Sequence, residues 1–273
     1  VSAIQRAPDI DNLLVLRASL AQRSYRLAAG YSELESTSTA QRYCQALALD
    51  PRGLLDGDLV DVLRRIHAMV TGMHNEPLRS KSASVRAKRS DAVSHSIRFP
   101  ARHIERALRE LDRTIYSNVR MDPTSRAALV YYEVLKIHPF QDGNGRLARL
   151  LFNMMLRRSL GTPLVDLSIA IRTGMATYND LLQRRERSGI YAAWMKFMLG
   201  LLLAEAHCAR RISDAVGQLT LHDRRMLFAA VSGSLYTLVH GDVDGFAAHL
   251  SSSLDARAHQ LPRSAALVFR TVM

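Results

Sequence analysis

Apolar residues recur along most of this chain at helical spacing. From Asp11 to Leu27 they fall at Leu13, Leu14, Leu16, Leu20 and Leu27, close to a 3.6-residue period. Leu59, Val62, Leu63, Ile66 and Met69 form a second such face. Pro100 suits a first helical turn, and Ile104, Leu108, Leu111 and Ile115 follow it at helical intervals. Asp122-Pro123 reads as an N-cap and first-turn pair ahead of Ala127, Val130, Tyr131, Val134 and Leu135. A long helix after Gly145 passes through Leu147, Leu150, Leu151 and Met154, and Gly161 with Pro163 ends it. Further helices are predicted over Met175–Arg187 and Tyr191–Arg211, and weaker ones after Ser213. Ser32 to Thr39 reads as a polar loop.

One segment has a different period. Val93, His95, Ile97 and Phe99 alternate with Ser94, Ser96 and Arg98, the two-residue repeat of a strand. Ser82 to Ala87 is placed to pair with it across a Lys88–Ala92 turn. A lone hairpin is marginal in water and must lean on helices. The fold class expected is therefore all-α, a helical bundle with one short β-hairpin.

Composition narrows the setting. Of 273 residues, 48% are hydrophobic and 23% charged, ordinary for a globular chain. The longest run without a charge or His, Met226 to Val239, is shorter than the roughly 18 apolar residues of a membrane span. Two cysteines, Cys44 and Cys208, give no disulfide framework and no metal-ligand spacing, which points to a reducing compartment. Val1 to Pro8 lacks the pattern of a secretory leader, and a start at Val suggests a processed chain or a segment of a longer one. The net charge of +12 raises the question of nucleic acid. Its arginines, however, are interspersed with Asp and Glu on amphipathic helices, the pattern of a solvated surface.

Candidate chemistry concentrates between two helical runs, in His138-Pro-Phe-Gln-Asp142-Gly-Asn-Gly-Arg146-Leu-Ala-Arg149. Two glycines, Gly143 and Gly145, flank Asn144 at the mouth of a helix. Backbone N–H groups there can form an anion-binding nest, reinforced by the positive helix end. Arg146 and Arg149, three apart, suit a polyphosphate. Asp142 can hold Mg²⁺ on that phosphate, because Mg²⁺ favours one or two carboxylates plus substrate oxygens. His138 is placed as a general base. By itself Asp-Gly-Asn-Gly is a common turn; a plain turn needs neither two arginines nor an upstream His.

This stretch resembles the Fic-domain signature HPFx(D/E)GNGRxxR at every specified position. The resemblance extends to Leu63–Met69 with Ile66-His67, to the hairpin at Val93–Phe99 as the family's flap, and to Leu167-Ser168 and Tyr178–Leu182 behind the nucleotide pocket. It implies a Fic core over residues 59–205, an N-terminal helical extension over 1–58 and a C-terminal one over 206–273. The implied activity is protein adenylyltransfer, AMP passing from Mg-ATP to a Ser, Thr or Tyr hydroxyl of a target protein. In that scheme His138 deprotonates the hydroxyl and Asp142 coordinates Mg²⁺. Asn144 and the Gly143 and Gly145 amides hold α-phosphate oxygens. Arg146 supports the phosphates and the leaving group, Arg149 meets the γ-phosphate, Phe140 anchors the loop, and Tyr178 contributes to the nucleotide pocket. Val93, His95, Ile97 and Phe99 form the flap that docks the target.

The family often carries an aromatic-Arg pair four or five residues before the flap's first Val. Counting back from Val85 gives Ser80-Lys81, with Arg79 adjacent. Tyr132 stands where many relatives have His. No Glu here fits the family's internal inhibitory pattern, so the expected restraint is a separate antitoxin-like protein that offers a Glu to Arg149. Transfer of another phosphate-containing group, such as UMP, is the alternative within the same fold. A nucleic-acid-binding module is the alternative outside it, disfavoured by the few basic residues of Gly233–Ser264. The expected location is the cytoplasm, the cell's own or that of a host receiving the chain as an effector.

Overall fold

The computed structural model describes residues 8–28, 31–81, 83–86, 93–97, 99–161, 167–184, 189–240 and 256–272. The chain divides into two compact units, Leu49–Thr162 with Leu167–Leu202, and Val1–Ala48 with Pro163–Asp166 and Leu203–Met273. The two terminal segments that the sequence presents separately thus fall into one unit.

That terminal unit is helical in its described parts. Helices α1 (Pro8–Ala28) and α2 (Glu33–Ala48) pack together, and α10 (Leu221–His240) lies on both. A last helix at Arg263–Val272 packs on α10 and α1. Leu13, Leu16, Tyr43 and Leu47 are among its most buried side chains. The polar loop expected over Ser32–Thr39 is instead the start of α2. Ser32 and Glu35 form a reciprocal cap: the Ser32 N–H and Oγ–H donate to Glu35 Oε2 at 3.0 and 2.9 Å, and the Glu35 N–H donates to Ser32 Oγ at 3.2 Å. Further on, Ser36 and Thr39 hydroxyls donate back to the Ser32 and Glu35 carbonyls, so small polar residues can be buried here inside a helix.

The other unit positions the candidate chemistry. Its helices are α3 (Leu59–Thr71), α4 (Ile104–Leu111), α5 (Pro123–Ile137), α6 (Asn144–Leu160), α7 (Leu167–Thr173) and α8 (Met175–Gln183), with the beginning of α9 (Ile190–Gly217). Each start has a local cause. Asp58 caps α3 by accepting the Val60 and Asp61 N–H groups, and Asp122 caps α5 by accepting those of Thr124 and Ser125, with Pro123 in the first turn. Gly161, at φ 57°, ends α6. Leu59, Val62, Leu63 and Ile66 of α3, Ile104, Leu108 and Leu111 of α4, and the apolar positions of α5 and α6 are buried. Each such Leu or Ile contributes about 1.5–3 kcal/mol by leaving water. Helix α6 packs along α5 and α3, and α4 along α3 and α5.

Within this mostly helical unit, Ala83–Arg86 and Val93–Ile97 pair antiparallel, with Ala83 opposite Ile97 and Val85 opposite His95. The register shifts between Val85 and Arg86, an irregularity that adds local twist. The Lys88–Ala92 turn lies outside the described residues. Among the described residues no helix is long and apolar enough to cross a membrane.

Candidate active site

Helix α5 ends in an unusual way. Its C-cap is His138, at φ 53° and ψ 65°, with its N–H bonded to the Val134 carbonyl. Only Asn75 shares a positive φ among the described non-glycine residues. The left-handed conformation costs a side-chain-bearing residue about 1–2 kcal/mol, so the surroundings must hold it. Such held backbone outliers concentrate at working sites. The His138 side chain is partly buried, on the last residue before the chain leaves α5 for the motif loop.

The loop from His138 to Asn144 closes on itself through one side chain. Asn144 is buried; its Oδ1 accepts the Phe140 N–H at 3.0 Å and its Nδ2 donates to the Phe140 carbonyl at 2.8 Å. Phe140 is fully buried and stacks on the His67 ring, centroids 4.0 Å apart and planes within 19°. Phe140 is therefore the loop's anchor. The Asn144 amide, expected on a phosphate, is turned inward because it satisfies main-chain groups that the fold buries.

His67 is a participant that the sequence supplied only as part of a helix face. It is 1% exposed on α3. Its Nε2 lies 2.9 Å from the Asp142 carbonyl, and since a carbonyl only accepts, that nitrogen carries the hydrogen. The Glu76 Oε2 lies 3.3 Å away. Burial pushes the His67 pKa below its ordinary value, against the raising influence of its bond to the Asp142 backbone and of Glu76. The signal available in sequence was a lone His on an apolar helix face, which usually marks nothing more than a satisfied core residue.

Gly143 begins α6 at φ 81°. A Cβ there would sit 2.7 Å from Thr71 Cγ2 and 3.1 Å from His67 Nε2, so both the backbone angle and the packing against α3 call for glycine. The first N–H groups of α6 have no acceptor within their own helix, as at every helix start. With the positive end of the α6 dipole, they make an anion-compatible surface.

The two motif arginines part company. Arg146 is buried, donating from Nη1 to the Val70 carbonyl at 2.8 Å and from Nη2 to Asp142 Oδ2 at 3.1 Å. Read from sequence as a phosphate ligand, it pins α6 to the last turn of α3, because that turn exposes carbonyls without helical donors. Arg149 Nη1 lies 3.4 Å from where a Gly145 Cβ would stand, so its guanidinium folds back over the first turn of α6. The Asp142 side chain is 62% exposed at the same helix mouth. No group of three or more His, Cys, Asp or Glu able to hold a metal occurs among the described residues. One exposed carboxylate without such a cluster fits Mg²⁺ that arrives with phosphate oxygens, and does not fit a dedicated protein cage.

Tyr178 is not on an open surface. It is buried, its hydroxyl lies 3.2 Å from that of Tyr131, and its ring tilts against Trp194 and Phe197. Trp194 is fully buried and donates to the Ala128 carbonyl at 2.8 Å. These rings form an aromatic core behind α5, with the Tyr178 face packed on its neighbours. Tyr132 joins the same group through Tyr191 and Trp194. Of the expected flap residues, Val93, His95 and Ile97 lie on the second strand, and Phe99 follows it with its carbonyl bonded to Arg79.

Arg79 completes the site. It is 5% exposed and donates to four main-chain carbonyls: His138 at 2.6 Å, Ile137 at 3.0 Å, Phe99 at 2.7 Å and Lys81 at 2.9 Å. Its own N–H donates to the Pro139 carbonyl at 2.8 Å. Burial pushes its guanidinium pKa down. Counting back from the hairpin's Val gives Ser80-Lys81, beside this residue; spacing did not single it out.

Residues 55–156 match the Fic/DOC family. A 56-residue stretch is 50% identical to the protein adenylyltransferase fic-1 of Caenorhabditis briggsae, covering 20% of this chain and 11% of that protein. The corresponding match to Caenorhabditis elegans fic-1 is 48% identical over 56 residues, with the same shares. The matched stretch thus spans about a tenth of those relatives' length. A Fic family protein from Desulfovibrio desulfuricans has a similar fold, with TM-score 0.58 and 19% identity over 92% of this chain and 82% of that one. A C. elegans Fic-1 segment gives 0.51 and 20% over 77% and 67%.

Proposed function

We propose that this chain, which belongs to the Fic/DOC family through its residues 55–156, is a protein adenylyltransferase that moves AMP from Mg-ATP to a hydroxyl of a target protein. The observation that carries the reading is His138, held in a left-handed cap at one end of the loop that leads into the start of α6. A base and an anion-binding helix end at the two ends of one clamped loop are what an in-line attack on phosphorus needs.

His138 accepts the proton of the incoming Ser, Thr or Tyr hydroxyl. The hydroxyl oxygen bonds to the α-phosphorus while the bond from that phosphorus to the bridging oxygen breaks, and pyrophosphate leaves with the electron pair. Main-chain N–H groups at the start of α6, around Gly143, Asn144 and Gly145, receive the charge that grows on the α-phosphate oxygens. Arg149, over the same turn, meets the outer phosphates. Arg146 acts by holding Asp142 and the helix start in place. Asp142 would hold Mg²⁺, which supplies neutralisation of phosphate charge when bound. The hairpin, as a flap, offers its edge to an extended target segment through main-chain hydrogen bonds. A separate protein presenting Ser/Thr-x-x-x-Glu to Arg149 would compete with the γ-phosphate and restrain the enzyme.

Incubating the purified chain with α-labelled ATP, GTP, CTP and UTP in a lysate, followed by mass spectrometry of labelled bands, tests the reading. Label from ATP on protein hydroxyls supports it. Preferential label from UTP would change the nucleotide and keep the fold. No label from any nucleotide, with intact Mg-ATP binding, would overturn it.

A further inference from the structure

We propose that Arg79 is a positioning residue that locks the base of the hairpin to His138, so that a target segment laid on the hairpin reaches the base in fixed register. The inference rests on the reading of His138 as the base. Three stretches of chain meet on one buried guanidinium: the residue leading into the first strand (Lys81), the residue following the second (Phe99), and the end of α5 (Ile137 and His138). The Arg79 N–H adds a fifth tie, to Pro139.

All four side-chain acceptors are main-chain carbonyls, so the link is indifferent to which side chains the hairpin carries. It depends on the planar fork of the guanidinium, whose donors are fixed in direction. A lysine ammonium is a single nitrogen and cannot span carbonyls on both sides of such a fork. Two of the acceptors, Ile137 and His138, end α5, where carbonyls lack helical donors and the dipole is negative. The bond to the His138 carbonyl acts on the residue whose backbone is in the costly left-handed region, and so helps to fix the direction in which its ring is aimed. Coupling between hairpin and base therefore runs through one side chain with discrete geometry.

Arg79→Lys in the full 273-residue chain is the test, with Arg79→Ala beside it and cooperative thermal melting as the check on folding. Three quantities are measured: amide exchange in residues 83–86 and 93–97, Mg-ATP affinity by calorimetry, and the rate of AMP transfer to protein beside the slow release of AMP to water. For Arg79→Lys we expect hairpin exchange to rise about tenfold or more and Mg-ATP affinity to stay within about twofold. Transfer to protein should fall about 100-fold, as a displacement near 1 Å does, and release to water should fall less. Guanidinium ion added to Arg79→Ala should restore part of the transfer and none in His138→Ala. Hairpin exchange unchanged in both variants would overturn the proposal, as would loss of Mg-ATP affinity in step with transfer. If the unaltered chain transfers no nucleotide, the functional reading fails, and the exchange result still decides whether Arg79 holds the hairpin.

Discussion

Asn144 and Phe140 exchange two hydrogen bonds across the motif loop, the side-chain amide of one serving both the N–H and the carbonyl of the other at 3.0 and 2.8 Å. The pair closes the stretch from Phe140 to Asn144 into a ring whose underside, Phe140, is stacked on His67. Replacing Asn144 with Ala leaves two buried main-chain groups unpaired, at about 1–3 kcal/mol for each. The expected result is a lower thermal midpoint together with weaker Mg-ATP binding, because the mouth of α6 is no longer held. A melt and a calorimetric titration check it; unchanged stability would mean that the ring is not what orders the loop.

For His138 the expectation is division of labour. His138→Ala should lower transfer by about 10²–10⁴-fold while Mg-ATP affinity persists, since the proposed function gives the nucleotide to the helix start, Arg149 and Asp142. Calorimetry on the variant decides. Affinity falling in proportion to rate would remove His138 from the role of base.

Gly143 is limited by angle and by space together. Gly143→Ala puts a Cβ against Thr71 and His67 at 2.7 and 3.1 Å with φ at 81°. A loss of about 1–3 kcal/mol is expected, read from denaturant unfolding. Gly161→Ala, where φ is positive and nothing lies within 4 Å, should lose less.

Tyr178 separates core from pocket. Tyr178→Phe removes the contact with the Tyr131 hydroxyl and keeps the ring. Stability should drop by about 0.5–1.5 kcal/mol and Mg-ATP affinity should not change; a tenfold weaker Kd would restore Tyr178 to the nucleotide site.

His67 predicts a pH dependence with a definite sign. Its folded pKa lies below the ordinary 6.5 because burial disfavours the charged ring. Above 6.5 both folded and unfolded forms are neutral and the group contributes no slope. As pH falls below 6.5 the unfolded chain takes up the proton first, so stability declines until the folded pKa is reached. Urea midpoints at pH 7.5 and 5.5 should differ more for the unaltered chain than for His67→Gln. An equal difference in the two would assign the slope to other groups.

Much of this protein was legible in its residues. The helices from Leu59, Asp122 and Gly145 onward, with their Asp caps and the Gly161 stop, follow from local rules that act within a few residues. The motif from His138 to Arg149 was likewise visible, because its chemistry lies contiguously along the chain. The partners that make the motif rigid were not. Arg79 lies 59 positions before the carbonyl it binds at His138, and His67 lies 75 before Asp142; neither spacing has a local signature. Sequence could offer Asn144 and Arg146 as phosphate ligands because it shows which groups exist. Tertiary structure decided which main-chain groups they pair with, the Phe140 N–H and carbonyl for Asn144 and the Val70 carbonyl for Arg146, since a group that the fold removes from water must be paired there. Helix α2 makes the same point from the other side: Ser32 to Thr39 looks like a loop until the cap and the back-bonded hydroxyls satisfy its polar atoms. Local propensity set the elements, and the requirement to pair buried polar groups set what the functional residues can reach.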